Sequence, residues 1–292
     1  MRFGLIIFLT LLALPGAAAD LVIRNATLLT VTKGTIENGS ILVRNGKIAA
    51  IGSDGSFQIP PGSRVIDASG KFVLPGIIDA HSHTAIQGAV NEQSLPNTGM
   101  VRVRDALVST DVSSYRQLAG GTTAANILHG SSNAIGGQNA VVKWKWGRPI
   151  AEWPIADAPR GIKFALGENP KGSNWQISES ATRPYPNTRM GVEQQVREAF
   201  TSARDYQAEW SEYEAARKRG DERIPPRKDL LMETMAGILS GEVLVHSHCY
   251  RADEIMMLLT MADEMGFKIR TLQHVLEGYK VGREIALSLI HI

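Results

Sequence analysis

The chain has 292 residues, of which 43% are hydrophobic and 21% are charged, so it is long enough for a large core and lacks the composition of a disordered protein. Its formal net charge of +2 excludes the strong basic excess typical of nucleic-acid or anionic-membrane binding. The single cysteine, Cys249, cannot form an intramolecular disulfide, and a thiol after an apolar strand is more often a packing residue than a nucleophile.

The first nineteen residues have the pattern of a secretory signal peptide. Arg2 supplies a positive charge, residues 4–14 are apolar, and three alanines at 17–19 form a small-residue cleavage site. A membrane span needs about 20 apolar residues, and this stretch is shorter. We therefore expect residues 1–19 to be removed, the mature protein to be secreted or periplasmic, and no integral membrane segment to remain.

Residues 20–72 are predicted to form a small β-domain. Asn45-Gly46 favours a hairpin, since a type I′ turn needs positive φ at both central positions. The predicted strands are 21–23, 26–32, 40–44, 47–51 and 64–67.

After Pro75-Gly76 the pattern changes to longer apolar strands that alternate with helices, which predicts βα units around a parallel sheet. The clearest unit is a strand at 242–248, an amphipathic helix at 252–265 that ends at Gly266, and a strand at 268–274. A long charged helix is predicted at 192–219, and Asp229 is predicted to cap a helix that runs to about Ser240.

An apolar strand that begins at Val73 closes on His81-Ser82-His83. Alternate residues of a strand share a face, so both imidazoles can reach one metal ion. Parallel barrels place their chemistry at such strand ends. The motif therefore favours a metal-dependent enzyme.

Histidines also stand at the ends of two later strands, His246 with His248 and then His274. A single buried histidine is usually a hydrogen-bonded core residue, but core packing has no need to repeat imidazole at one rim. Lys163, in an apolar stretch at 161–167, is a further candidate. The alternative for Lys163 is a side chain that reaches the surface, and Lys143 and Lys145 also lie on an apolar stretch.

Residues 20–292 resemble the amidohydrolase superfamily, in particular its secreted imidazolonepropionase-like and prolidase-like branch. The resemblance rests on Pro75-Gly-Ile-Ile-Asp79-Ala-His81-Ser-His83 and on Gly120-Gly-Thr-Thr123, which is similar to the second barrel strand of such proteins. It implies an α/β fold, with a small N-terminal β-sandwich at 20–72 and a TIM-type (β/α)₈ barrel from residue 73.

The resemblance also implies a ligand set for two divalent ions, expected to be Zn²⁺. His81 and His83 would bind the more buried ion and His246 and His274 the second. Lys163, carboxylated by carbon dioxide, would bridge the two ions.

The choice between His246 and His248 stays open. The histidine that ends the apolar run is the ligand in related proteins, which favours His246 and leaves His248 as a substrate contact. His129 is a second candidate for substrate binding. It precedes a glycine-rich loop, residues 130–137, that either approaches a ligand or is a flexible connector.

The implied function is metal-dependent hydrolysis of an amide or cyclic amide bond in a small molecule by metal-activated water. The alternatives are a prolidase-like dipeptidase of the same superfamily and an exported metal-binding protein without catalysis. The family's strand-eight aspartate is expected to lie beyond this chain, which we expect to stop before strands seven and eight, with about six strands and no activity of its own. Neither the catalytic residue nor the oligomeric state follows from the sequence.

Overall fold

A computed structural model describes residues 19–172 and 185–288 of the chain. The chain divides into two compact units of a mixed α/β protein, one that ends at Gly76 and one that begins at Ile77. The predicted signal peptide lies outside the described residues except for Ala19. Within the described ranges, none of the helices combines the length and apolar character that a membrane span requires.

The first unit contains one five-stranded sheet in the order β3-β2-β1-β4, with β5 also paired to β1. The predicted hairpin is confirmed, because Asn45 and Gly46 have φ of 51° and 72° between β2 and β3. The second layer of a β-sandwich is not seen among residues 19–76. The strands are β1 (Leu21–Leu29), β2 (Thr35–Arg44), β3 (Lys47–Ser53), β4 (Arg64–Asp67) and β5 (Phe72–Val73).

The second unit alternates strands and helices in the second half of its sequence, as predicted. Its strands are β6 (Ile77–Ser82), β7 (Thr122–Ile127), β8 (Ile135–Gln138), β9 (Ala140–Lys143), β10 (Arg160–Ala165), β11 (Val243–Cys249) and β12 (Ile269–His274). Its helices are α1 (Val112–Ala119), α2 (Arg189–Arg219), α3 (Leu230–Leu239), α4 (Ala252–Met265) and α5 (Gly282–Ser288).

Two sheets form from these strands. One has the order β12-β11-β10-β8, in which β10, β11 and β12 are parallel, and the other has the order β6-β7-β9, in which β6 and β7 are parallel. The described strands therefore do not join into one closed barrel. Parallel pairing nevertheless sets the carboxyl ends of β10, β11 and β12 side by side.

A core of apolar side chains from α2, α3 and α4 covers one face of the sheet that holds β10–β12. Phe200 of α2 stacks on Phe267 with ring centres 4.2 Å apart, and both rings contact Phe164 of β10. Full burial of such a side chain contributes roughly 1.5–3 kcal/mol. This packing fixes the strand ends that carry the polar residues of the site.

Two predicted helix termini are confirmed. The carboxylate of Asp229 accepts hydrogen bonds from the backbone N–H groups of Leu231 and Met232 at the start of α3. Gly266 follows α4 with φ of 65°, the left-handed conformation that a helix C-terminus commonly needs.

Candidate metal centre

The carboxyl ends of three strands, β6, β11 and β12, bring histidines together in the second unit. The ring of His81 lies 5.0 Å from that of His83 and 5.0 Å from that of His274, and the ring of His274 lies 4.8 Å from that of His248. We call these four side chains the imidazole cluster. Local sequence explains why His81 and His83 lie close together, but the strands that carry His248 and His274 are distant from them in the chain.

Hydrogen bonds to Nδ1 fix the tautomers of the first two histidines. Nδ1–H of His81 donates to Oε1 of Gln273 at 2.9 Å, and Nδ1–H of His83 donates to the carbonyl of Leu128 at 2.8 Å. The amide of Gln273 is itself oriented, because its Nε2 donates to Oγ1 of Thr271. With Nδ1 protonated in both rings, each Nε2 carries a free lone pair.

Those two lone pairs face each other. Nε2 of His81 and Nε2 of His83 are 3.2 Å apart. Two acceptor nitrogens repel at this distance unless a cation lies between them. Two nitrogens bound tetrahedrally to one zinc ion at about 2.05 Å are separated by about 3.3 Å, so the pair fits a divalent metal.

The burial of His248 and its lack of hydrogen-bond partners also indicate a metal ligand. It is 1% exposed, and neither Nδ1 nor Nε2 has a hydrogen-bond partner within the described part of the chain. A buried polar atom without a partner costs about 1–3 kcal/mol, so an orphaned imidazole needs an explanation. Burial, with smaller contributions from His274 and Lys163, lowers the pKa of His248 to about 3. The ring is therefore the neutral form that binds metals.

His246 is placed differently. Its Nδ1 bonds Oγ1 of Thr271 at 2.8 Å, and its ring lies against Gly161 of the neighbouring strand, where an added Cβ would stand 2.6 Å from Nε2. Lys163 is its register partner on β10. The prediction that His246 is a ligand stays a prediction, and the ring contacts favour His248 instead.

His274 reaches the cluster through an uncommon backbone conformation. Alternation along β12 places Thr271 and Gln273 on one face, which would turn His274 to the other. The φ angles of His274 and Val275 are 68° and 49°, and this left-handed turn directs the imidazole back toward His81. Such a conformation costs on the order of 1–3 kcal/mol in a non-glycine residue and is enriched at functional sites.

Lys163 is completely buried beside the cluster, and its Nζ lies 3.4 Å from Nε2 of His81. Burial lowers the pKa of Lys163 to about 8. An isolated buried ammonium is unfavourable, so this environment favours the neutral amine or a modified side chain with an anionic group. Lys143, the alternative, is exposed at the end of β9.

As the side chains stand, no three His, Cys, Asp or Glu residues in residues 19–172 and 185–288 converge as one complete metal site. The donor set is nevertheless suited to a divalent ion. It combines neutral imidazoles, oriented by partners on Nδ1, with two facing lone pairs and an orphaned ring.

The structure also bears on the roles predicted for His129 and Cys249. His129 is buried and uses both ring nitrogens for backbone hydrogen bonds, which does not favour the predicted contact with substrate. Burial raises the pKa of Cys249 to about 12, and its thiol is fully buried, in keeping with the packing role predicted for it.

Sequence reasoning missed Gln273 and Tyr250. Gln273 directly precedes a candidate ligand on the inward face of β12, a position at which a residue that orients ligands is common. The ring of Tyr250 lies 4.4 Å from that of His248 and 5.8 Å from that of His274, just after β11. The local signal for Tyr250 is an aromatic residue immediately after the strand that carries His246 and His248.

No family model matches the chain. Among solved structures, it is similar to an amidohydrolase from Thermotoga maritima MSB8, with a TM-score of 0.78 and 32% identity over 91% of this chain and 67% of that one. It is 30% identical over 266 residues to amidohydrolase tasK of Hapsidospora irregularis, which is 83% of this chain and 26% of tasK.

A shorter similarity links the chain to an adenine deaminase of Listeria monocytogenes serovar 1/2a, with 48% identity over 67 residues, or 23% of this chain and 11% of that enzyme. The matched regions thus cover about a quarter of the length of tasK and about a tenth of that of the deaminase.

Proposed function

Because this chain belongs to the amidohydrolase superfamily, we propose that its imidazole cluster binds divalent metal and that the protein hydrolyses a carbon–nitrogen bond of a small molecule. The observation that carries the proposal is the pair of facing Nε2 atoms of His81 and His83, 3.2 Å apart, with both Nδ1 atoms engaged elsewhere. The names of the similar proteins, amidohydrolase and adenine deaminase, both describe the cleavage of carbon–nitrogen bonds.

His81 and His83 would hold one ion, and His248 and His274 would hold a second. A divalent ion, when bound, polarises a carbonyl group and lowers the pKa of water. Zinc is the metal that this nitrogen-rich donor set favours.

The residues of the chain contribute orientation and charge. Gln273 and the carbonyl of Leu128 keep the two Nε2 atoms of the first pair unprotonated. Burial lowers the pKa of His81 to about 4, so that the ring stays neutral around neutral pH. These groups keep the ligands in their binding form without any rearrangement.

Lys163 would supply a negative charge, which the neutral imidazoles of the cluster do not provide. The lone pair of its neutral amine forms the N–C bond to carbon dioxide, and one amine proton is released. The product would be an anionic carbamate, which would serve as a metal ligand in place of the buried amine. The burial of Lys163 and its contact with His81 support this assignment.

We also propose that the second unit is part of a TIM-type barrel and that residues 1–19 direct export. The parallel order of β10, β11 and β12 supports the first proposal, as does the likeness to the Thermotoga amidohydrolase. The charge and apolar pattern of residues 1–19 supports the second.

The test is metal-dependent turnover by the complete gene product that includes residues 1–292, on a panel of cyclic amides, N-acyl amino acids, dipeptides and aminopurines. We expect a chelator to abolish hydrolysis of at least one class and added Zn²⁺ to restore it. His83→Ala should lose the restored activity, whereas Lys143→Ala, at an exposed position, should keep it. Turnover that survives complete chelation would overturn the proposal.

A further inference from the structure

Two loops meet at the carboxyl ends of β6 and β7. The rim loop, residues 90–96, follows β6. The glycine loop, residues 130–137, follows β7 and includes the first three residues of β8. Both connect strands that carry or support the imidazole cluster. The contacts between them use side chains that the metal centre leaves unexplained.

His129 is the first of these side chains and is 3% exposed. Its Nε2 accepts a hydrogen bond from the backbone N–H of Glu92 at 2.8 Å, and its Nδ1–H donates to the carbonyl of Gly130 at 3.0 Å. One neutral tautomer satisfies both bonds. The ring therefore joins the two loops and has no nitrogen left for a substrate.

Asn133 is the second and is 1% exposed. Its Nδ2 donates to the carbonyls of Glu92 and Leu95 at 2.6 and 2.7 Å. The backbone of Glu92 is thus held on its N–H side by His129 and on its carbonyl side by Asn133. A further bond, from the N–H of Gly130 to the carbonyl of Val90, ties the base of the rim loop.

The glycines of the glycine loop make room for this arrangement. A Cβ on Gly136 would lie 2.6 Å from Nδ1 of His129, and a Cβ on Gly137 would lie 3.0 Å from its Cδ2. Any larger residue at Gly136 would collide with the imidazole. Close packing on His129 therefore explains the glycine at 136 and, together with Val101, the glycine at 137.

The contacts adjoin the metal centre directly. Leu128, whose carbonyl accepts the hydrogen bond from His83, immediately precedes His129. The same hypothetical Cβ on Gly136 would lie 3.1 Å from the carbonyl of Lys163. Movement of His129 would thus displace backbone next to His83 and Lys163, two residues of the proposed centre. The tip of the rim loop, residues 92–95, is exposed.

We propose that His129 and Asn133 are positioning residues that clip the rim loop beside the imidazole cluster, so that its tip forms a wall of the substrate pocket. This inference rests on the proposed function, and it gives His129 an indirect role in place of direct contact with substrate. A fixed wall lowers the entropy lost when substrate binds.

Hydrogen–deuterium exchange of the full chain tests the clip without any need for turnover. His129→Phe keeps a ring but removes both hydrogen bonds, and Asn133→Ala removes the two bonds on the other side. Each should speed exchange in peptides that cover the rim loop by about tenfold, as the loss of a buried hydrogen bond implies. The exchange rates of peptides that cover β11 should be unchanged.

Ser114→Ala is the matched control, because it removes a buried hydroxyl on α1 that donates to the carbonyl of Asp111, outside the two loops. It should leave exchange of the rim loop at the wild-type rate. Unchanged exchange in both clip variants would overturn the clip.

Kinetics distinguish positioning from a purely structural role. With a substrate found for the wild-type protein, His129→Phe should raise KM by about tenfold with kcat and zinc content nearly unchanged. An unchanged KM, or equal losses of kcat and zinc, would overturn the positioning role. Absence of wild-type turnover would count against the proposed function instead, and the exchange rates would still decide whether the clip exists.

Discussion

At the scale of single residues, Gln273 determines which nitrogen of His81 faces the cluster. Its Oε1 accepts from Nδ1–H, and its own amide is oriented by Thr271. A neutral imidazole has one proton to place, so an acceptor at Nδ1 leaves Nε2 free for a metal.

We therefore expect Gln273→Leu to weaken zinc binding by about 10–100-fold, the usual cost of losing a partner that orients a ligand. Competition against a chelator of known affinity measures this. Gln273→Glu keeps an acceptor at the same position and should bind zinc more tightly than the leucine variant. Equal affinity in the wild type and the leucine variant would show that Gln273 does not orient a ligand.

The two histidines of β11 give a second test at this scale. His248 contacts His274 and has no hydrogen-bond partner among the described residues, whereas His246 bonds Thr271. We expect His248→Ala to lower the zinc content, measured by inductively coupled plasma mass spectrometry, while His246→Ala retains most of the zinc. The reverse order would restore the prediction made from the sequence.

The site was predictable where the sequence carries a local pattern and unpredictable where the backbone departs from one. His81 and His83 come together because a strand alternates its faces. His274 joins them through a left-handed turn, which strand alternation does not predict. The orientation of His246 against Gly161 depends on a neighbouring strand some eighty residues away, so no local signal reports it.

At the scale of elements, capping residues define where helices begin. Asp229 caps α3, which packs against β11, the strand that carries His248. The cap satisfies N–H groups that have no partner within the helix.

Asp229→Ala should lower the free energy of unfolding by about 1 kcal/mol, because two capped N–H groups lose their acceptor. Urea denaturation followed by circular dichroism measures the loss. Asp229→Asn retains a capping oxygen and should lie near the wild type. If the alanine and asparagine variants are equally stable, the cap does not stabilise α3.

Local signals also explain which elements the sequence predicts well. The bounds of α4 agree with the prediction because an amphipathic pattern ends at a glycine. In the first unit, the two strands predicted at 21–23 and 26–32 are the single strand β1, since Asn25 adopts φ of 60° within a register shift without breaking the pairing. A turn-forming residue at that position resembles a strand boundary in sequence.

At the scale of the whole molecule, a mixed α/β architecture places the candidate metal ligands at the carboxyl ends of its strands. The strands that carry the histidines, β6, β11 and β12, are spread between Ile77 and His274 and lie in two different sheets, so only the fold of the second unit brings the histidines together. Periodicity predicts single strands, whereas the order of strands follows from long-range contacts. The sequence therefore indicates that the histidines stand at strand ends, and the resemblance to a known family adds which of them would share one ion.

The imidazole cluster is expected to hold divalent metal. Anomalous scattering at the zinc absorption edge, from crystals of the full chain prepared with Zn²⁺, would locate the ion. We predict a zinc peak bound by Nε2 of both His81 and His83 at about 2.0–2.1 Å. A crystal in which zinc binds only at other residues, with His81 and His83 free of metal, would contradict the account.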